Sequence, residues 1–186
     1  MEALEFSILD WIQLHVRCGA LDVLMPAVSR ICDHGEIWIL LAAVLLAIPR
    51  CRRAGFALAC GLVLDLIGCN FILKPLVGRA RPFAVRSGVA LLVAPPLDAS
   101  FPSGHTAVSF AAAAALWSGG SRKMGLTAAV LACVIAFSRL YLYVHWPSDV
   151  LAGALLGGLL GRLGAALAAF LTGTRSHQRG EKTPGT

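Results

Sequence analysis

Apolar residues run through this chain in stretches of membrane-spanning length, and that pattern restricts its fold more than any other feature. A spanning helix needs ~20 mostly apolar residues. Residues 54–73 are interrupted only by Asp65 and Asn70, and residues 125–143 and 150–171 form two further stretches. Residues 106–117 carry no charge and extend back toward Ser103, whereas residues 37–48 are shorter and must borrow their flanks. Of the 186 residues 58% are hydrophobic and 14% charged, against roughly 45–50% and about 25% in soluble domains. A single small core cannot hide that much apolar surface from water. The expected fold is therefore all-α: a polytopic membrane helical bundle of five to six spans, one domain over residues 1–172. Residues 173–186 are polar and read as a disordered cytoplasmic tail.

The N-terminal part is different. Phe6, Leu9, Trp11, Ile12 and Val16 make a loosely amphipathic helix, and residues 21–31 are short, carry Asp22 and Arg30, and are interrupted by Pro26. Residues 1–32 read as interfacial or re-entrant helices, with a sixth span as the alternative. Glu2, Glu5 and Asp10 come before any lysine or arginine, the reverse of a signal peptide. The net charge of +6 does not indicate nucleic acid, because the basic residues form no stripe with interleaved aromatics. They collect at the ends of apolar stretches. Arg50, Arg52, Arg53, Arg122, Lys123, Arg175, Arg179 and Lys182 fall on one face if the spans alternate, and the positive-inside rule makes that face cytoplasmic. Cys18, Cys32, Cys51, Cys60, Cys69 and Cys133 show no CxxC pair and read as small buried hydrophobes.

Three polar clusters interrupt the apolar background, and the same alternation brings them together on the extracytoplasmic face. Pro102-Ser103-Gly104-His105 precedes an alanine-rich helical run, so it lies at a helix N-terminus, where free backbone N–H groups and the dipole favour an anion. Gly104 lets the backbone approach an oxyanion, Ser103 adds a hydroxyl, and His105 stands where an acid would protonate a leaving oxygen. In Ser138-Arg139-x5-His145-x3-Asp149, Pro147 suits a first helical turn. Asp149 in that turn can accept the Nδ1–H of His145, leaving Nε2 as a nucleophile, while Arg139 can bind phosphoryl oxygens. An interfacial histidine beside a helix-capping acid would have the same spacing. Lys74 and Arg81-Pro82 flank a short Gly-containing loop and supply cations for equatorial phosphoryl oxygens; lipid-headgroup contacts are the plainer reading. Gly153, Gly157 and Gly161, four residues apart, read as helix packing.

Taken in order, Lys74-x6-Arg81-Pro82, Pro102-Ser103-Gly104-His105 and Ser138-Arg139-x5-His145-x3-Asp149 resemble the three-part signature of the type 2 phosphatidic acid phosphatase superfamily. The resemblance spans about residues 37–171, and in size the chain is similar to small bacterial lipid phosphatases of the family, undecaprenyl diphosphate phosphatases among them. It implies that His145 attacks phosphorus to form a phosphohistidine, oriented by Asp149. His105 protonates the leaving group, and water then hydrolyses the intermediate. Lys74, Arg81, Ser103, Gly104 and Arg139 would hold the phosphoryl oxygens.

The expected function is a cell-membrane phosphatase acting on a lipid phosphate monoester or diphosphate, such as phosphatidate, phosphatidylglycerol phosphate or a polyprenyl diphosphate. No Asp, Glu or His cluster has metal spacing, so no metal or cofactor is expected. The alternatives are a vanadate-dependent haloperoxidase-like enzyme and a lipid-phosphate binding or transport protein without turnover. Outside the signature, Asp65 reads as a structural hydrogen-bonding acid, too deep for the phosphoryl site. Asn70 is placed to orient Lys74, and Arg79 and Arg86 widen the positive field. Asp33, His34 and Glu36 receive no role.

Overall fold

The computed structural model describes residues 2–86 and 88–173. The expected disordered tail thus lies, from residue 174 onward, outside the described residues. Helices follow one another as α1 (Glu2–His15), α2 (Gly19–Arg30), α3 (Glu36–Ala47), α4 (Arg52–Asp65), α5 (Lys74–Val77), α6 (Pro82–Val85), α7 (Gly104–Gly119), α8 (Arg122–Tyr141) and α9 (Pro147–Leu171). No strand occurs among the described residues. Between α4 and α5 the helix continues through a wider π-helical stretch, Leu66–Leu73, which ends against Lys74.

Glycine and leucine divide α9 between two environments. Gly153, Gly157, Gly161 and Gly164 are buried against α7 and α4. A Cβ on Gly157 would lie 2.0 Å from the Ala107 carbonyl oxygen, and one on Gly161 2.1 Å from that of Ala111. The helices therefore touch backbone to backbone. On the opposite side Leu151, Leu155, Leu159 and Leu163 are exposed by 48–70%. Small residues inside and large apolar residues outside is the reverse of a soluble bundle, and is how helices associate in lipid.

α7 is the centre of the bundle, packed against α4, α8 and α9. Its Ala107, Ala111, Ala112 and Ala115 are fully buried. At 16 residues it is about 24 Å long, short of a ~30 Å hydrocarbon core. Its stretch, 106–117 in the sequence reading, lies at the centre of the bundle, where neighbouring helices surround its alanines. Among the described residues three helical stretches are long and apolar enough to cross a membrane: Pro49–Val85, Arg122–Tyr141 and Pro147–Leu171; Glu36–Ala47 is a shorter apolar helix. α1 and α2 are separate helices of 14 and 12 residues and pack on α8 and α9. Leu9 and Ile12 face inward while Leu4, Trp11 and Leu14 are exposed, so α1 is amphipathic as read.

Candidate active site

After α8 the chain must reverse within a few residues to start α9 at Pro147. Tyr143 takes a left-handed conformation (φ 61°), and the Val144 N–H bonds back to the Arg139 carbonyl at 3.2 Å. The turn carries His145 into the interior, where 1% of it is exposed. Arg81 Nη1 donates to His145 Nε2 at 3.1 Å. A guanidinium only donates, so Nε2 holds a lone pair and the ring proton sits on Nδ1. Nδ1 faces Ser100 Oγ at 3.5 Å and Asp149 Oδ2 at 3.6 Å. The expected His145–Asp149 pair thus stands at ion-pair distance, longer than a hydrogen bond. Burial holds the imidazole well below its usual titration range, with the charges of Arg139 and Arg81 pushing the same way against Asp149. His145 is neutral at physiological pH.

Asp149 caps the first turn of α9 and stands beside His145. It accepts from the Trp146 N–H at 3.0 Å, Ser100 Oγ at 2.5 Å and Arg79 Nη1 at 2.6 Å. Arg79 Nη2 also donates to Glu5 Oε2 at 2.6 Å, and Glu5 Oε1 accepts the Ser148 N–H and hydroxyl at 3.0 and 2.5 Å. Helix α1 is thereby fastened to the first turn of α9. Arg86 is held by Asp10 at 2.6 Å and lies 4.0 Å above the Phe6 ring. Both arginines are engaged by α1, which corrects the expectation that they widen the field over the site.

The cations of the first cluster converge on one acid. Lys74 Nζ is paired with Asp98 Oδ2, and Arg81 Nη2 donates to Asp98 Oδ1 at 2.7 Å. Arg81 also donates to the Asp98 and Val144 carbonyls at 2.9 and 2.7 Å, so it fastens the segment before α7 to the His145 turn. Burial alone would raise the Asp98 carboxyl, but the hydrogen bonds and charges of Lys74 and Arg81 outweigh it and lower it from 3.8 to about 2. A folded-state value below the unfolded one means that ionised Asp98 stabilises the fold above about pH 4. That contribution is lost as pH falls through about 2. Asp98→Asn is expected to flatten the acid limb of thermal stability between these values, followed by unfolding in detergent; an unchanged limb would show the pair contributes nothing.

The second cluster lies as read: α7 starts at Gly104, immediately after Ser103. A Cβ on Gly104 would meet Asn70 Oδ1 and Lys74 Nζ, each at 3.4 Å, so the helix start and Lys74 share one wall. Ser103 is fully buried and accepts from Thr106 Oγ1 at 3.0 Å. His105 Nε2 donates to Asp33 Oδ1 at 3.1 Å. Arg139 reaches Ser29 through Nη1, and its buried Nε has no hydrogen-bond partner. Lys74, Arg81, Gly104, His105, Arg139 and His145 all line a cavity of about 920 Å³. Ile39, Leu62, Val63 and Leu66 add apolar lining.

Asp65 lines the same cavity, and its buried Oδ1 has no hydrogen-bond partner. That corrects the expected structural hydrogen bond, which Oδ1 does not make. Asp33 also gains a contact where none was expected. Ser100, Asp98, Glu5 and Asp33 are site residues that the sequence reading missed. The signal available for Asp98 was a carboxylate beside Pro95-Pro96 and close before a helix start. Ser100, Glu5 and Asp33 had none. Among the described residues no group of three or more His, Cys, Asp or Glu side chains is placed to hold a metal ion.

Residues 53–172 of this chain match the PAP2 superfamily. An undecaprenyl-diphosphatase of Sulfolobus acidocaldarius is 34% identical over 121 residues, covering 65% of this chain and 58% of that protein. This chain therefore spans little more than half the length of that relative. A decaprenylphosphoryl-5-phosphoribose phosphatase of Mycobacterium tuberculosis is 38% identical over 138 residues, 73% of each chain. Among solved structures, Aquifex aeolicus LpxE superposes with a TM-score of 0.74 at 27% identity, covering 88% of this chain and 95% of that one.

Proposed function

The chain belongs to the PAP2 superfamily, and from that premise we propose that it is a multi-pass membrane lipid phosphatase working through a phosphohistidine. One observation carries the reading: a buried, neutral His145 directs its Nε2 lone pair toward Arg81, at a cavity walled by Lys74, Arg139 and His105. Nε2 attacks phosphorus; the P–O bond breaks, and its electron pair leaves with the lipid oxygen, which takes a proton from His105. Water then attacks the phosphohistidine, releases phosphate and restores His145. Asp149 opposes the positive charge that forms on the ring. Lys74, Arg81 and Arg139, with the Ser103-Gly104 helix start, hold the phosphoryl oxygens, the substrate anion taking the place of the Asp98 carboxylate on Lys74. Stabilising charge at the transferring group is the main catalytic device in such reactions.

The substrate is a phosphate monoester or diphosphate of a lipid, the class to which the relatives' names point. The apolar lining of the cavity, at Ile39, Leu62, Val63 and Leu66, supports a hydrocarbon tail entering between α3 and α4. The topology is five to six spans, with the site on the extracytoplasmic face. Two contacts support this arrangement: a Cβ on Gly119 would lie 3.7 Å from the Arg53 carbonyl, whereas Gly104 lies beside Lys74. The arginine-bearing end of α4 is thus opposite the site.

Quenching the enzyme with phosphorus-labelled lipid phosphate is expected to trap an acid-labile, alkali-stable phosphoenzyme, and EDTA is expected to leave turnover unchanged. Burst kinetics without that adduct, or activity abolished by EDTA and restored by a divalent cation, would overturn the mechanism.

A further inference from the structure

His105 has a carboxylate partner from outside the residues matched to the family, and the way it is held suggests a task. Asp33 lies in the turn between α2 and α3, before residue 53. The turn is closed by Gly35 in a left-handed conformation (φ 76°) and pinned to α7 on both sides. Cys32 Sγ lies 3.5 Å from Ser109 Oγ, and Trp38 Nε1 donates to the same hydroxyl at 3.0 Å. Ser109 is one helical turn after His105 on the same face. Fastening the turn there places Asp33 over His105, with Oδ1 3.1 Å from Nε2. Cys32 and Trp38 are each 1% exposed, so the fastening is part of the core.

The electrostatic setting gives this contact its purpose. Burial disfavours a positive charge on His105, and the charges of Arg139, Lys74 and Arg81 push the same way. All of these oppose an imidazolium, yet a proton donor to a leaving oxygen must carry the extra proton. Asp33 is the carboxylate in contact with the ring. We infer that Asp33 is a positioning residue for the leaving-group proton: it grips the His105 Nε2–H, stabilises the imidazolium, and leaves Nδ1–H to be delivered. As the P–O bond breaks, the departing oxygen keeps the electron pair and takes the Nδ1 proton. The neutral ring remains with its Nε2–H on Asp33. This inference rests on the reading of His105 as the proton donor. It adds a second Asp–His pair to the site, built by the α2–α3 turn, which works on the leaving group while Asp149 faces the nucleophile.

The test is a ratio of two rates measured on one preparation, so that any loss of folded protein cancels. A short-chain diacylglycerol phosphate leaves as an alkoxide and needs the proton; p-nitrophenyl phosphate leaves as a stable phenolate and does not. General acid catalysis contributes on the order of 10²–10⁴-fold, and removing the partner that holds the acid is expected to forfeit about tenfold or more of it. Asp33→Asn should therefore lower kcat on the diacylglycerol phosphate at least about tenfold relative to p-nitrophenyl phosphate, and Asp33→Glu should restore most of the ratio. An unchanged ratio in Asp33→Asn overturns the role of Asp33. If His105→Ala also leaves the ratio unchanged, the reading of His105 itself is wrong, and the inference falls with it.

Discussion

His145→Ala is expected to lower phosphate release by about 10⁴-fold or more, because removing the nucleophile of a covalent mechanism costs on the order of 10⁴–10⁶. The frame around it should survive. The hydrogen bond that the ring accepts comes from Arg81, and Arg81 keeps the Val144 carbonyl, the Asp98 carbonyl and the Asp98 carboxylate. Asp149 keeps the Trp146 N–H, Ser100 and Arg79. The cations that would hold the phosphoryl group are therefore still in place, and lipid-phosphate binding should remain near that of the unaltered protein. Equilibrium binding and single-turnover phosphate release separate the two effects. Turnover within tenfold of the unaltered protein would exclude His145 as nucleophile. Loss of binding together with turnover would mean that the ring organises the anion site instead of attacking within it.

The long helices were legible because lipid imposes a simple rule on sequence. Residues 150–171 read as a span, and α9 is Pro147–Leu171. Residues 54–73 read as another, and the helix runs through α4 and the π-helical stretch to Leu73. A backbone in hydrocarbon must satisfy its own hydrogen bonds, so an apolar run of that length becomes helix with little choice. The clusters were legible because each lies at a helix end, where capping chemistry fixes local geometry: Pro147 starts α9 and Gly104 starts α7. Tertiary partners were not. Asp33 meets His105 across 72 positions, Arg79 meets Glu5 across 74, and Ser100 meets Asp149 across 49. They come from turns or from a helix whose period reports only its apolar face. Asp65 misled for a related reason. A polar group in lipid is expected to find a partner within the bundle, and Asp65 Oδ1 has none.

Adjacent glycines in α9 are expected to respond to the same substitution with opposite signs. In a helix interior Ala is favoured over Gly by about 0.5–1 kcal/mol, since glycine loses more backbone freedom on ordering. At Gly158 a Cβ meets nothing within 4 Å, so Gly158→Ala should gain about that much. At Gly157 the same Cβ would sit 2.0 Å from the Ala107 carbonyl oxygen and 2.8 Å from its carbon. Neither atom belongs to a side chain that can rotate away. Either α9 or α7 must shift, and forcing atoms into a packed interface costs about 1–3 kcal/mol or more, which exceeds the gain in helix propensity. The displaced helix is the one that begins with Gly104 and His105, while α9 carries Asp149, so the wedge should lower activity as well as stability. Thermal unfolding in detergent should place Gly157→Ala below the unaltered protein and Gly158→Ala at or above it, with phosphate release reduced in the first alone. Equal midpoints for the two variants would mean that α7 and α9 are not in backbone contact, and that the small-residue stripe does not hold the two halves of the site together.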